Sequence, residues 1–485
     1  MDLLAEIKAL EQQARQLEPN AQERQKYWTA VQDYAEDFLE QIEEIPAYVE
    51  SEKKGQELLD AEIGPARSLK ELLALMGQAL DKPGLNPASG GHLGYIPGGG
   101  LYPSALGDFL AAVFNRYAGV FYGSPGAVRM ENQLLKWLAK RLNFPDTAAG
   151  NLCSGGSIAN QIAIGCARDA AQLKARDFER AVIYSSKQVH HCVHKSINMV
   201  GLREAQIRYI PMDERFRMRA DILVQQIAKD RAEGLIPFMV ICSAGTTDSG
   251  AIDPLEQIAD CCAAEDIWMH VDAAYGGFFY LVDELRPSFK GLERADSLAI
   301  DPHKGLFLPY GTGAVLVRDG QQLFASQHLE ASYLQDAYLD TEEVSPADLS
   351  PELTKHFRGL RMWLPLQLFG LAPFVAALTE KRRLTQYFYQ KIQELGFEVG
   401  PPPQLSVMLY RYCPKSGEHN SFNLALVKKV RQDGRVFLSS TTIEGQVYLR
   451  LAVLSFRTHL QTIDNCLQVL AEAKVALLAS GEWSD

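Results

Sequence analysis

Trp268-Met269-His270-Val271-Asp272-Ala273-Ala274-Tyr275-Gly276-Gly277 decides the fold of this chain. It is an apolar run of strand length that closes on a carboxylate and a glycine-rich turn. Two runs of the same kind precede it, Ala181-Val182-Ile183-Tyr184 and Pro237-Phe238-Met239-Val240-Ile241. Helical patterns lie between the strands, over 158–173, 219–233 and 254–264. Continuous apolar strands alternating with helices predict an α/β fold, with a mostly parallel central sheet covered on both faces. In open sheets of this type ligands bind beyond the carboxyl ends of the strands. Asp272 therefore stands where chemistry is expected, although a strand-end Asp also serves as a helix cap or turn former.

Outward from this block the chain changes character twice. Residues 1–84 read as a helical arm: Leu3, Leu4, Ile7 and Leu10 recur at helical spacing, as do Trp28, Val31, Tyr34, Phe38 and Ile42. Such an arm cannot bury its apolar stripe alone and must pack on the rest of the chain or on a second subunit. Residues 85–357 form the large domain, opening with a segment rich in glycine and proline where backbone can approach a ligand closely. Helices are expected over 105–117 and from Ser124 through Leu138. Residues 358–485 read as a small α+β domain. It has a long helix through Leu364, Leu368 and Phe374, a second helix over 383–395, and strands over 406–412, 435–439 and 448–453.

Four segments carry potential chemistry. Asp301-Pro302-His303-Lys304-Gly305 places a lysine in a tight turn after an apolar stretch. Partial desolvation there suits a Schiff-base lysine, and a solvated loop lysine is the plain alternative. Asp272 suits the partner that a pyridinium nitrogen requires. Ser154-Gly155-Gly156-Ser157 precedes an apolar helix and offers an anion site of free N–H groups, or an ordinary helix cap. It has neither the Walker lysine nor the dinucleotide glycine spacing. His190, in Gln188-Val189-His190-His191, follows a strand and could stack on a flat ring. Thr246, in Gly245-Thr246-Thr247, offers a hydroxyl at another strand end.

Composition bounds the function. The chain has 485 residues, 47% of them hydrophobic and 22% charged, which is globular usage. Its net charge of −12 counts against nucleic acid or an anionic membrane as partner. No apolar run has the length of a membrane span. The eight cysteines include no C-x-x-C pair, which suits reduced thiols. The first residues lack the pattern of a secretory signal, so a cytoplasmic location is expected, and no metal site is expected.

Taken together these segments resemble the group II pyridoxal-phosphate-dependent amino acid decarboxylases. The resemblance runs from about residue 85 to 455 and includes Ser124-Pro125-Gly126 with Glu131 and Trp137. It continues through Ser154 to Asn160, Gln188-Val189-His190, Gly245-Thr246-Thr247, His270 to Tyr275, Asp301 to Lys304 and Arg358 to Trp363. It implies a fold-type-I homodimer that uses pyridoxal 5′-phosphate to decarboxylate an L-amino acid. Leu101-Tyr102-Pro103-Ser104 resembles the corresponding stretch of the aromatic decarboxylases, which implies an aromatic substrate. Lys304 is then expected to hold the cofactor, Asp272 to pair with its ring nitrogen, and His190 and Ala274 to cover its two faces. Gly155, Gly156, Ser157 and His303 are expected at the phosphate, and Thr246 near ring and substrate.

His92 falls where the family lines the substrate cleft, with Leu93 in place of the usual Pro. Ala347 falls near the position where many members carry a tyrosine that protonates Cα, so Tyr338, the one tyrosine in the stretch 335–351, or a histidine is expected to substitute. If that donor fails, aldehyde replaces amine, so an aldehyde synthase is one alternative. A decarboxylase of an acidic or other non-aromatic amino acid is a second. Other fold-type-I lyases such as cysteine desulfurases are a third, disfavoured by Tyr275 in place of Gln and by the absence of a cysteine in 335–351. A non-catalytic binding protein of the same fold is a fourth.

Overall fold

The computed structural model describes residues 2–329 and 342–484. Its centre is a seven-stranded sheet. In chain order the strands are β1 (Ala149–Cys153), β2 (Ala181–Ser185), β3 (Gln206–Tyr209), β4 (Ile236–Ser243), β5 (Trp268–Asp272), β6 (Ser297–Ile300) and β7 (Gly313–Val317). Their order across the sheet is β1-β7-β6-β5-β4-β2-β3. Six run in one direction and β7 runs against both its neighbours. The three strands read from periodicity are present, each extended by one to three residues. β1, β3, β6 and β7 are additional; β6 and β7 are short runs of Ser, Gly and aliphatic residues that periodicity alone does not separate from loop.

Every residue of β2, β5, β6 and β7 is buried, as a sheet with helices on both faces requires. One face is covered by the Gly156–Ala170 helix, which presents Ala159, Ala163, Cys166 and Ala167. These small residues let the helix lie close on the strands. The other face is filled by a larger apolar cluster that includes Phe278, Phe279, Phe289 and Met269.

The small domain carries a four-stranded antiparallel sheet: β8 (Glu398–Val399), β9 (Val407–Arg411), β10 (Ser439–Ile443) and β11 (Gln446–Ala452), in the order β8-β9-β11-β10. The expected strand over 435–439 is displaced: the paired residues begin at Ser439, and Phe437 instead bridges to His92. The expected long helix through Phe374 is also corrected. The chain breaks after Gly359–Phe369 and resumes as Ala372–Glu394, bent by 94°. Gly370, at φ +66°, makes the turn. No single helix among the described residues is long and apolar enough to cross a membrane.

The segment expected to open the large domain serves both domains. Leu93 lies in the core of the small domain with Phe388, Phe422 and Leu451. The Leu93 N–H donates to the Phe437 carbonyl, and the Phe437 N–H donates to the Gly91 carbonyl. The N-terminal arm is helical at Leu3–Ala14, Ala21–Glu40 and Leu69–Ala79, and the first two helices bury no residue.

Candidate active site

The candidate segments converge because each begins where a strand stops. Ser154 follows β1, Ser186 follows β2, Ala244 follows β4, Ala273 follows β5 and Asp301 follows β6. Together they enclose a cavity of about 190 Å³ lined by Gly155, Gly156, Ser157, His190, Thr246, Asp272, Ala274, His303 and Lys304. His92 is not among the lining residues. It is buried against Phe437, ring centroids 5.8 Å apart and 16° from parallel. Burial pulls its pKa down to about 4. Tyr338 lies outside the described residues.

A side chain at the helix entrance would be crowded. A Cβ on Gly156 would stand 3.0 Å from the Ala274 Cβ and 3.1 Å from Asp301 Oδ2. With Gly155 at the cap and no side-chain cap bond, the N–H groups of Gly156 and Ser157 have no protein acceptor among the described residues. They point positive partial charge into the cavity.

The lysine turn is the short helix Pro302–Gly305, with proline in its first position. The Gly-rich segment braces it from behind. The Gly99 N–H donates to the carbonyls of His303 at 3.2 Å and Leu308 at 2.9 Å, and the Leu101 N–H donates to Phe307 O at 3.0 Å. A Cβ on Gly99 would lie 2.3 Å from Phe307 O, and Phe307 itself is held at φ +58°.

Charge is paired inside the cavity. Lys304 Nζ lies 3.0 Å from Asp301 Oδ2. Burial pulls the Lys304 pKa down, but Asp301, Asp272 and the hydrogen bond to Asp301 outweigh it and hold the amine above the ordinary lysine range. The His190 pKa is held low, first by burial, and its Nδ1 accepts from the Cys192 N–H at 3.3 Å. A neutral ring with Nδ1 as acceptor is left to cover a flat ligand. The His303 pKa is also lowered by burial, and its Nδ1–H donates to Thr312 O at 2.7 Å. The Thr246 hydroxyl donates to Ser249 Oγ at 2.8 Å, which in turn donates to Gln188 Oε1 at 3.3 Å.

These residues fit a pyridoxal phosphate group on three observations. The glycine cradle is one that any Cβ would fill. Asp301 Oδ1 is buried with no hydrogen-bond partner, so the site contains polar capacity that the protein does not satisfy. The donor set is chemically apt: free N–H groups for a phosphate, an amine for an aldehyde and a carboxylate for a ring nitrogen.

Residues without an assigned role also line the cavity, among them Asn160, Cys192, Tyr275 and Asp301. Asn160 Nδ2 donates to Asp272 Oδ2 at 3.3 Å and to Gly156 O at 2.8 Å. The signal for Asn160 was present in the spacing: it stands four residues after Gly156, on the same helix face. Arg450 of β11 gave no such signal. It is buried, donates through Nη2 to Thr247 O, and its Nε has no partner. Only the fold brings it beside the Thr246 turn.

The geometry agrees with comparison. The family model described as the pyridoxal-dependent decarboxylase conserved domain matches residues 88–412. An aromatic-L-amino-acid decarboxylase of Bacillus atrophaeus is 36% identical over 390 residues, covering 79% of this chain and 80% of that protein. Tyrosine decarboxylase 2 of Narcissus pseudonarcissus is 28% identical over 471 residues, 93% and 94% of the two chains. In fold, the chain is similar to the solved Catharanthus roseus tryptophan decarboxylase in complex with L-tryptophan. The TM-score is 0.88 at 24% identity, with 95% of this chain and 100% of that one covered.

Proposed function

The chain belongs to the pyridoxal-dependent decarboxylase family, and from that premise we propose that its substrate is an aromatic L-amino acid, released as the amine with carbon dioxide. The enzyme is a carboxy-lyase and its cofactor is pyridoxal 5′-phosphate. The observation that carries the reading is the meeting of Lys304, Asp272 and His190 in one cavity with the glycine cradle. The aromatic preference is supported by the activity of the Bacillus atrophaeus relative.

When bound, the cofactor supplies the electron sink for the pair left by the breaking Cα–carboxylate bond. Lys304 holds it through Nζ. Gly156 and Ser157 receive the phosphate on their N–H groups, with His303 beside them. Asp272 keeps a proton at the ring nitrogen by presenting a carboxylate whose position is fixed from two sides, by Asn160 and by the Ala274 N–H at 3.1 Å. His190 and Ala274 cover the ring and exclude water from it. With its amine free, Lys304 is held by Asp301 Oδ2 at 3.0 Å.

A cytoplasmic homodimer belongs to the same proposal. The arm supports it, because Leu3, Leu4, Ile7 and Leu10 are all more than half exposed. So does the Tyr102–Phe114 helix, which leaves Phe109, Val113 and Phe114 open. Patches of this kind call for a partner surface. The cysteines are free thiols and nearly all buried, in keeping with a reducing compartment.

The test is product analysis of the loaded enzyme with amino acids supplied singly, using Lys304→Ala as control. Amine and carbon dioxide from tyrosine, tryptophan, phenylalanine or a hydroxylated relative are expected. Turnover confined to glutamate, aspartate or another non-aromatic substrate overturns the substrate class, and aldehyde with ammonia overturns the product.

A further inference from the structure

Behind the carboxylate of Asp272 and its donor Asn160 runs a chain of buried polar groups, Trp268, Ser297 and His270, that the reaction as described does not use. Trp268, His270 and Asp272 alternate along β5, so their side chains share one face of the sheet. The Gly156–Ala170 helix covers that face and brings Asn160 against it. Trp268 Nε1 lies 2.8 Å from Ser297 Oγ, Ser297 Oγ 2.8 Å from His270 Nδ1, and His270 Nε2 2.7 Å from Asn160 Oδ1. Asn160 Nδ2 then reaches Asp272 Oδ2, Gly156 O and, at 3.6 Å, Cys192 Sγ.

The direction of every proton in this chain is determined from both ends. An indole N–H only donates, so Ser297 Oγ accepts from Trp268 and spends its own proton on His270 Nδ1. At the other end, Gly156 O and Asp272 Oδ2 only accept, so the Asn160 amide must turn its N–H₂ toward them and its oxygen toward His270. His270 then carries one proton, on Nε2. Burial pulls its pKa down to about 4, so it stays neutral under working conditions.

We propose that Asn160 is a positioning residue for the cofactor ring. A one-way hydrogen-bond chain from Trp268 through Ser297 and His270 fixes its amide, which locks Asp272 at the ring nitrogen and ties that point to the first turn of the phosphate-facing helix. One amide thus couples the two ends of the cofactor site: Gly156, whose N–H faces the phosphate, and Asp272, which faces the ring. Buried networks of this sort are stiff when every member is satisfied, and they fail when one donor becomes an acceptor. The inference rests on the cofactor site and not on the identity of the substrate.

The test uses cofactor binding to apoenzyme, followed by absorbance without substrate, together with turnover. Asn160→Asp replaces the donor with an acceptor aimed at Asp272. Two carboxyls at that distance share a proton. The groups facing them are His190, Cys192, His270, Asp301 and Lys304. Cofactor affinity in Asn160→Asp is expected to fall about tenfold or more at pH 8 and to recover toward pH 5.5, where the added carboxyl is protonated and donates again. His270→Leu leaves the buried Asn160 Oδ1 without its donor and is expected to weaken binding, while His270→Gln, which keeps a donor, restores most of it. This pair stands if Asn160→Asp does not fold. Affinity equal to wild type at every pH, a loss that is uniform with pH, or an equal loss in His270→Gln and His270→Leu overturns the proposal.

Discussion

Lys304 Nζ and Asp301 Oδ2 stand 3.0 Å apart, three residues apart on one turn. The lysine proposed to bond the cofactor therefore carries its own counter-charge. Asp301 raises the affinity of the amine for its proton, which lowers the fraction of free base at neutral pH. Asp301→Asn is expected to move the pH profile of apoenzyme adduct formation toward acid. The check is the rate of growth of the cofactor's absorbance between pH 6 and 9. An unmoved profile would remove Asp301 from that role.

Asp272 is held by donors on both oxygens, from Asn160 and from Ala274. Asp272→Ala is expected to keep the fold, because the side chain it shortens lines the cavity, but it strips the ring nitrogen of its proposed partner. Turnover is expected to fall at least about a hundredfold with little change in the melting temperature. Lys304→Ala should leave the phosphate cradle intact while abolishing any adduct trapped by borohydride. Mass spectrometry of the trapped protein decides the second point.

Gly99 permits the contact that braces the lysine turn, since a Cβ there would meet Phe307 O at 2.3 Å. Gly99→Ala is expected to cost about 1–3 kcal/mol of stability and to weaken cofactor binding, because relief of the clash displaces Phe307 and, with it, Lys304. Gly100→Ala is a poor control, because Gly100 sits at φ +68°. Gly126→Ala, which meets nothing within 4 Å, is the suitable one. Equal melting temperatures for Gly99→Ala and Gly126→Ala would contradict the brace.

Asp253 is buried beyond β4 and accepts from the N–H groups of Met218 at 2.7 Å and Ser243 at 2.8 Å. Burial outweighs these bonds and pushes its pKa up to about 6. A carboxyl that binds its proton more tightly when folded adds stability at low pH and loses that contribution as pH rises from about 4 to about 6. Asp253→Asn has no such titration, and its amide must turn a donor toward one of the two N–H groups. The gap in unfolding midpoint between wild type and Asp253→Asn is therefore expected to be wider at pH 4.5 than at pH 7. Chemical denaturation at the two pH values measures it.

The sequence carried the architecture where one period was enough. Trp268 to Asp272 reads as a strand from its short apolar run, and the turn at Lys304 reads as unusual because a lysine prefers an exposed helix face. It misled where tertiary pairing decides the outcome. Phe437 has strand character but is taken up by His92 and Tyr48, so pairing in β10 starts two residues later. Gly370 breaks what periodicity reads as one helix because its neighbours are apolar on both sides of the break. His92 illustrates the limit for site residues: its place is set by the small domain, 345 residues further along the chain at Phe437. Asn160 and His270 were legible by spacing, but the direction of their hydrogen bonds exists only once helix and strand are packed.

The crossing of Leu93 into the small-domain core makes that domain a dependent part. Severed at residue 358, it would have a hole where Leu93 sits and a free edge where Phe437 meets Gly91 and Leu93. It is therefore not a portable module: a chimaera that exchanges residues 358–485 alone would join a foreign core to a native plug. A graft that respects the molecule must carry residues 86–95 with it, so that the unit of recombination is discontinuous although the chain is not.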